Sequence, residues 1–277
     1  RAFLQPVATI GQRIVRAKKT LSDSGLAYET PRGEALAQRL ASVLEVVYLI
    51  FNEGYTAAKG DDWLRPQLCA EALRMGRVLV AVAPAEPEAY GLLALMELNA
   101  SRTAARTDAE GQPILLMDQD RGRWDQLQIR RGLKALARAA ELGGQGGFYA
   151  LQAAIVACHA RAEQPQDTDW IQIAGLYARL AELTGSPVVE LNRAIAVGMA
   201  DGPAAGLAIL DTLAEHPAMR AYHLLPSVRG DLLFRLGRHG EAREAFEAAL
   251  ALAANRREQD LLRRRAAAAA ALIPAGG

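Results

Sequence analysis

GDLLFRLGRHGEAREAFEAA, residues 230–249, is a helical hairpin written in twenty residues. Gly237 marks the turn, with an apolar, helix-forming run on either side. The same pattern occurs thirty-six residues earlier without a gap. When Ala194 is aligned with Gly230, Val197 meets Leu233, Gly206 meets Ala242, Leu210 meets Phe246 and Leu213 meets Ala249. Small residues at the first and third of these positions let two antiparallel helices approach closely. The large ones fill the seam between them.

A hairpin repeated at a period near 34 is the tetratricopeptide (TPR) signature, in which each unit buries its apolar face only by stacking on its neighbours. Weaker copies place Gly132, Leu136 and Ala139, and Ala174, Ala178 and Ala181, in the second helix of earlier pairs. The 3.6-residue period gives a helix ending near Gly54, with Leu36, Leu40, Val43, Leu44, Val47 and Phe51 as its stripe. Asp61 or Asp62 is the expected cap of a helix running to about Ala83, and another ends near Ala100. A polar insertion, 101–123, follows. Further helices are expected at 124–142, 148–162, 169–183, 187–199, 203–214, 220–236, 240–253 and 256–271. No segment alternates as a strand would. The last helix, with Arg256, Arg257, Arg263, Arg264 and Arg265, suits the polar cap that a solenoid end requires. The fold class is therefore all-α, a TPR-like solenoid.

Composition agrees. The 277 residues are 51% hydrophobic and 23% charged, which places the chain among globular proteins, and only 5% aromatic, which favours helix over sheet. Cys69 and Cys158 form no CxxC pair, so two buried thiols of a reducing cytoplasm are expected rather than a disulfide or zinc scaffold. The greasiest run, 43–51, is too short for a membrane span and contains Glu45. The chain begins with Arg1 and is read as part of a longer protein.

Charge is unevenly distributed. The first 21 residues carry Arg1, Arg13, Arg16, Lys18 and Lys19 and no acid, a charge of +5. The whole chain is +1, leaving −4 for residues 22–277. Ile10, Ile14, Ala17 and Leu21 form one apolar stripe of a helix over Ala8–Leu21, and the basic residues lie off it. Residues 22–33 read as a linker. A basic helix ahead of a mildly acidic body points to a polyanionic partner for the helix.

The opening FLQPVATIGQRIVRAKKTL resembles the second half of the helix-turn-helix in region 4 of sigma-70-type RNA polymerase sigma factors. Phe3 and Leu4 match the end of its first helix, Gln5-Pro6-Val7 the turn, and Ala8–Leu21 the recognition helix. Thr9, Arg13, Arg16, Ala17 and Lys18 supply the motif Thr-x-x-x-Arg-x-x-Arg-Ala-Lys. YLIFNEGY (48–55), LLMDQDRGRWD (115–125), LQAAIVACHA (151–160), TDW (168–170), SPVVELNRAIAVG (186–198) and GDLLFRLGR (230–238) are similar to the TPR-like carboxy-terminal extension of one group of extracytoplasmic-function (ECF) sigma factors. The resemblance implies three parts: the end of region 4 at 1–21, a linker at 22–33 and the extension at 34–277. It implies a region 2 and the front of region 4 upstream. Its implied partners are core RNA polymerase, promoter DNA and, for the extension, a small YCII-like protein. By that analogy Thr9, Gln12 and Arg13 read bases of a −35 element, and Arg16, Lys18 and Lys19 hold phosphates.

Other candidates have competing readings. Asn52-Glu53-Gly54-Tyr55 is a contact patch or, by preference, a C-cap with Gly54 left-handed. Asp118 and Asp120 offer carboxylates for a metal or for acid–base chemistry, and with Arg121 a patch for partner contacts, but Asp residues ahead of a helix more simply cap it. Asn192 and Arg193 lie on the first helix of a hairpin, where they either grip a peptide or bond between helices. The four histidines lack metal-ligand spacing, and Trp63, Trp124 and Trp170 are packing anchors. No GxSxG, P-loop or dinucleotide pattern occurs. The expectation is a non-enzymatic, cytoplasmic transcription initiation factor without cofactor, metal or membrane contact. A TPR-like peptide-binding adaptor and an all-α enzyme using Glu53, Asp118 and Asp120 are the alternatives.

Overall fold

The computed structural model describes residues 7–25, 33–55 and 65–273. Twelve α-helices and several 3-10 turns account for most of them, and the one extended pairing among the described residues is the bridge Thr107–Pro113. Phe3, Leu4, Gln5, Pro6, Asp61, Asp62 and Trp63 fall outside the described residues.

Helix α1 spans Val7–Asp23. The body is a stack of hairpins: α2 (Glu34–Tyr55) with α3 (Pro66–Val82), α4 (Pro87–Ala100) with α5 (Gln126–Glu141), α6 (Phe148–Arg161) with α7 (Trp170–Thr184), α8 (Pro187–Ala200) with α9 (Pro203–Leu213), and α10 (Leu224–Arg235) with α11 (His239–Leu252). The stack ends in α12 (Arg256–Ala271). Each helix packs on its hairpin partner and on the next hairpin, so the body is an all-α, TPR-like solenoid.

Local chemistry sets the boundaries. Pro66, Pro87, Pro187 and Pro203 each open a helix, where a missing N–H costs nothing. Asp125 accepts from the Leu127 and Gln128 amides, Asp169 from Gln172, and Asn255 from Arg257 and Glu258, each capping the helix that follows. Gly237 takes φ +74 at the α10–α11 turn. Two boundaries differ from the sequence expectation. Helix α3 starts at Pro66, four or five residues past the expected Asp cap. The expected helix 220–236 begins only at Leu224. Pro226 cannot donate to the Tyr222 carbonyl and its ring would clash there, so the chain enters through a 3-10 turn at Pro217–Met219 instead.

The repeat register holds in three dimensions. Ala194, Leu210, Ala242, Phe246 and Ala249 are fully buried. A Cβ at Gly230 would lie 2.6 Å from Phe246 Cε1, so the glycine is the space into which that ring packs. Gly54 is corrected. It lies inside α2 without a positive φ, and a Cβ there would meet the Cys69 backbone nitrogen at 2.7 Å. It is the crossing point of α2 and α3, one residue before α2 ends at Tyr55, and it is not a left-handed cap.

Helix α4 is buried on every side from Gly91 to Leu98, because α2, α3, α5 and α6 surround it. One core gathers around α2–α4 and a second around α8–α12, with a smaller cluster of α6, α7 and α8 between them. The end cap is bolted on by chemistry that the basic count alone did not reveal. Arg265 pairs with Asp231 of α10 and lies 4.9 Å from the Phe246 ring centroid, while Leu262 and Ala269 are buried. No helix among the described residues is long and apolar enough to cross a membrane.

Candidate functional site

The inner face of the stack holds a cavity of about 430 Å³. Five helices build it, each through residues that its 3.6-residue period puts on one side. Tyr48, Asn52 and Tyr55 come from α2, Leu95 and Asn99 from α4, and Phe148, Gln152, Ile155 and Val156 from α6. Tyr177, Leu180 and Thr184 come from α7, and Val188, Val189 and Asn192 from α8, with Ser186 at its cap. Three stretches that carry the family resemblance (48–55, 151–160 and 186–198) thus converge on one concavity. Asn52 and Asn192, 140 residues apart, share it.

None of these lining residues is charged. Charges adjacent in sequence are turned away and paired. Glu53 bonds Arg65 at 3.0 Å. Arg193 bonds Glu190 through Nε at 2.9 Å and through its second nitrogen, which raises the guanidinium pKa further. Most of the polar lining is engaged internally. The Tyr48 hydroxyl donates to Gln152 Oε1 at 2.9 Å, and Gln152 Nε2 donates to the Phe148 carbonyl at 3.2 Å. Asn99 donates to the Leu95 carbonyl at 3.0 Å and accepts from Arg102 at 2.8 Å. Thr184 donates to Leu180 at 2.8 Å. The Asn52 amide bonds the Tyr48 hydroxyl, partly offsetting the burial that raises that phenol's pKa. The Tyr177 and Ser186 hydroxyls and the Asn192 carboxamide make no hydrogen bond with described residues. Burial pushes the Tyr177 phenol up to about 12.

Beside this cavity the insertion is held by three arginines. Arg102 donates to the Tyr55 hydroxyl at 2.7 Å and lies 5.7 Å from the Trp124 ring centroid. Arg106 is buried, stacks 3.5 Å from the Tyr55 ring centroid and donates to the Tyr55 carbonyl. Burial, reinforced by the charge of Arg102, lowers its pKa. Arg121 donates to the His159 carbonyl at 2.5 Å, the Ala162 carbonyl at 2.7 Å and Thr168 Oγ1 at 3.2 Å, and stacks on Trp124 at 4.9 Å. It therefore caps the carboxy-terminal end of α6, where carbonyls lack partners. His159, packed edge-on against Trp170, is pushed down to about 4 by burial and by the two neighbouring guanidiniums.

The remaining sequence candidates fall elsewhere. Asp120 accepts from the Gly122 amide at 2.9 Å and caps the 3-10 turn Arg121–Arg123. Asp118 is exposed at the end of the turn Leu116–Asp118. Neither lines the cavity, nor does Glu53, and no group of three metal-capable side chains occurs among the described residues. Thr9, Gln12, Arg13, Arg16, Lys18 and Lys19 all lie on α1, where Thr9 is half-buried and every residue from 11 to 25 is exposed. Sequence reasoning missed Gln152 and Tyr177, which stand in helices that are apolar on average and give no local sign of a polar-lined cavity. It also missed Arg102 and Arg106, for which a polar insertion gives no sign of burial. A second concavity, about 560 Å³ on the α3–α5 side, has the opposite chemistry: Arg77, Arg131, Lys134 and Arg138 surround Glu97 and Glu141.

A family model described as a family of unknown function (DUF6596) matches residues 39–140, the stretch that supplies the α2 and α4 walls of the cavity. An uncharacterised protein of Rhizobium meliloti (strain 1021) is 46% identical over 258 residues, covering 93% of this chain and 60% of the relative. The chain thus spans about three-fifths of the length of the curated relative it matches.

Proposed function

We propose that this chain is the carboxy-terminal part of an ECF-type sigma factor: the −35 recognition helix of region 4 followed by a regulatory hairpin stack. The observation that carries this reading is α1. It presents Arg13, Arg16, Lys18 and Lys19 to solvent with no carboxylate before Asp23. Its apolar stripe is also uncovered, Ile14 at 50% and Leu21 at 67% exposure, as expected of a helix whose partner helix belongs to another part of the protein. The greater length of the relative leaves room for such a part.

In this reading α1 lies in the major groove with its first turns at base edges. Gln12 suits adenine and Arg13 suits guanine, because each offers two hydrogen bonds to one base. Thr9 makes a single bond or a methyl contact. Arg16, Lys18 and Lys19 neutralise phosphates, which gives affinity that falls with salt. Core RNA polymerase binds through the upstream part, in the cytoplasm, and the stack governs activity through a partner, a YCII-like protein being the first candidate.

Run-off transcription with core polymerase and the full-length parent tests this. Arg13→Glu is expected to reduce promoter-specific transcript at least tenfold, while Lys19→Ala weakens DNA binding across sequences and lowers the salt slope by about one. Unchanged transcript from Arg13→Glu removes the recognition-helix assignment. Deletion of 34–277 is expected to alter transcript yield, and an unaltered yield removes the regulatory role of the stack.

A further inference from the structure

We propose that the inner cavity is a receptor site for an uncharged small molecule. Its apolar body lies against Leu95, Ile155, Val156, Leu180, Val188 and Val189. One or more neutral groups (alcohol, ketone or carboxamide) meet the free Tyr177 and Ser186 hydroxyls and the Asn192 carboxamide. This goes beyond the promoter-binding reading and does not rest on it.

Three observations converge. The first is shape and lining. The volume, about 430 Å³, falls among small-ligand sites of about 300–1,000 Å³, which share a mostly apolar wall with a few placed polar groups. The second is the absence of lining charge. A carboxylate, phosphate or ammonium entering here loses its water and meets no counterion among the lining residues. Arg102 stands behind the wall, where it donates to Tyr55 and Asn99, and its charge acts at Tyr177 less than burial does. The third is the state of the polar groups. Gln152 and Asn99 each have both ends of the carboxamide in an internal bond, and the Thr184 hydroxyl donates to Leu180, whereas Tyr177, Ser186 and Asn192 have no side-chain bond to described residues. An extended peptide brings an N–H and a C=O with every residue, and too few partners remain to satisfy them. A ligand with only one to three polar atoms is fully satisfied by what is left. Tyr177 keeps its proton across the physiological range and so remains a donor.

Saturation-transfer NMR on this chain, without polymerase or DNA, tests the assignment. The probes are cyclohexanecarboxamide, 3-phenylpropanol and cycloheptanone, each paired with a carboxylate of matching shape. Binding at this site is the part lost in Val189→Trp or Val188→Trp, which fill the cavity, so that anions held at the α3–α5 concavity do not count. At least one neutral probe is expected to bind, at least tenfold tighter at this site than its carboxylate partner. Asn192→Leu is expected to weaken the carboxamide at least fivefold. Where a tryptophan variant loses its thermal transition, Asn192→Leu, which adds little volume, carries the comparison. The proposal is overturned if no neutral probe shows variant-sensitive binding or if the carboxylates bind there equally well. It is equally overturned if acetylated, amidated apolar pentapeptides occupy the site tenfold more tightly than every probe. None of these outcomes touches the recognition-helix reading, which run-off transcription decides separately.

Discussion

Arg121 and His159 show how single side chains organise the long insertion. Arg121 reaches across nearly forty residues to carbonyls at the end of α6 while stacking on Trp124. A planar fork is needed for both tasks, so lysine is no substitute. Arg121→Lys and Arg121→Ala are both expected to destabilise by about 2–4 kcal/mol, as lost charge-assisted bonds to buried carbonyls do. Urea unfolding checks this, and a full rescue by lysine argues against the fork. His159 makes a pH prediction. Its folded pKa of about 4 lies below the unfolded value near 6.5, so the unfolded chain binds a proton that the folded one refuses. This contribution is fully present above pH 6.5 and is lost as pH falls toward 4, a span worth about 3 kcal/mol. His159→Phe keeps the edge contact with Trp170. It is expected to lose correspondingly less stability than wild type between pH 7 and 4.5, as urea midpoints at the two pH values will show.

Among the elements, the last hairpin is the most legible. Gly230 faces the Phe246 ring, and any larger side chain must displace it. Gly230→Leu is expected to cost about 3 kcal/mol by overpacking and to lower the thermal midpoint by several degrees. An unaltered midpoint contradicts the contact. The insertion behaves differently. Asp120 caps a turn at the surface, so Asp120→Ala should cost about 1 kcal/mol and raise amide exchange around Gly122 without unfolding the body. Gly54 carries a lesson about such elements. In sequence, a glycine at the end of an apolar stripe reads as a helix stop. Here α2 does end beside it, at Tyr55, but the glycine takes no left-handed turn and answers to α3, which crosses at a distance that leaves no room for a Cβ.

At the scale of the whole molecule, stability is divided between two cores joined by α6–α8, and the cavity sits where that join is made. Helix α12 closes the second core through Leu262, Ala269 and the Arg265–Asp231 pair. Burial raises the Asp231 pKa and Arg265 opposes that shift, so losing the arginine leaves a buried carboxylate uncompensated. Removal of 256–277 is therefore expected to lower the thermal midpoint of the whole stack and broaden its transition, since repeat stability depends on nearest-neighbour interfaces. A sharp, unshifted transition in calorimetry contradicts this.

The sequence by itself determined the all-α class, the hairpin register from Ala194 to Ala249 and nearly every helix after residue 124. Proline starts, Asp and Asn caps and the 3.6-residue apolar period act locally and leave their mark in adjacent letters. It also singled out Asn52 and Asn192. Only the tertiary structure decided that these two share a cavity with Gln152 and Tyr177, that Glu53 and Arg193 turn away from it, and that Arg102, Arg106 and Arg121 hold the insertion against Tyr55, Trp124 and the end of α6. Those outcomes depend on how five helices curve around a common inner face. Contact between residues more than a hundred positions apart is set by packing and desolvation, which no local pattern records.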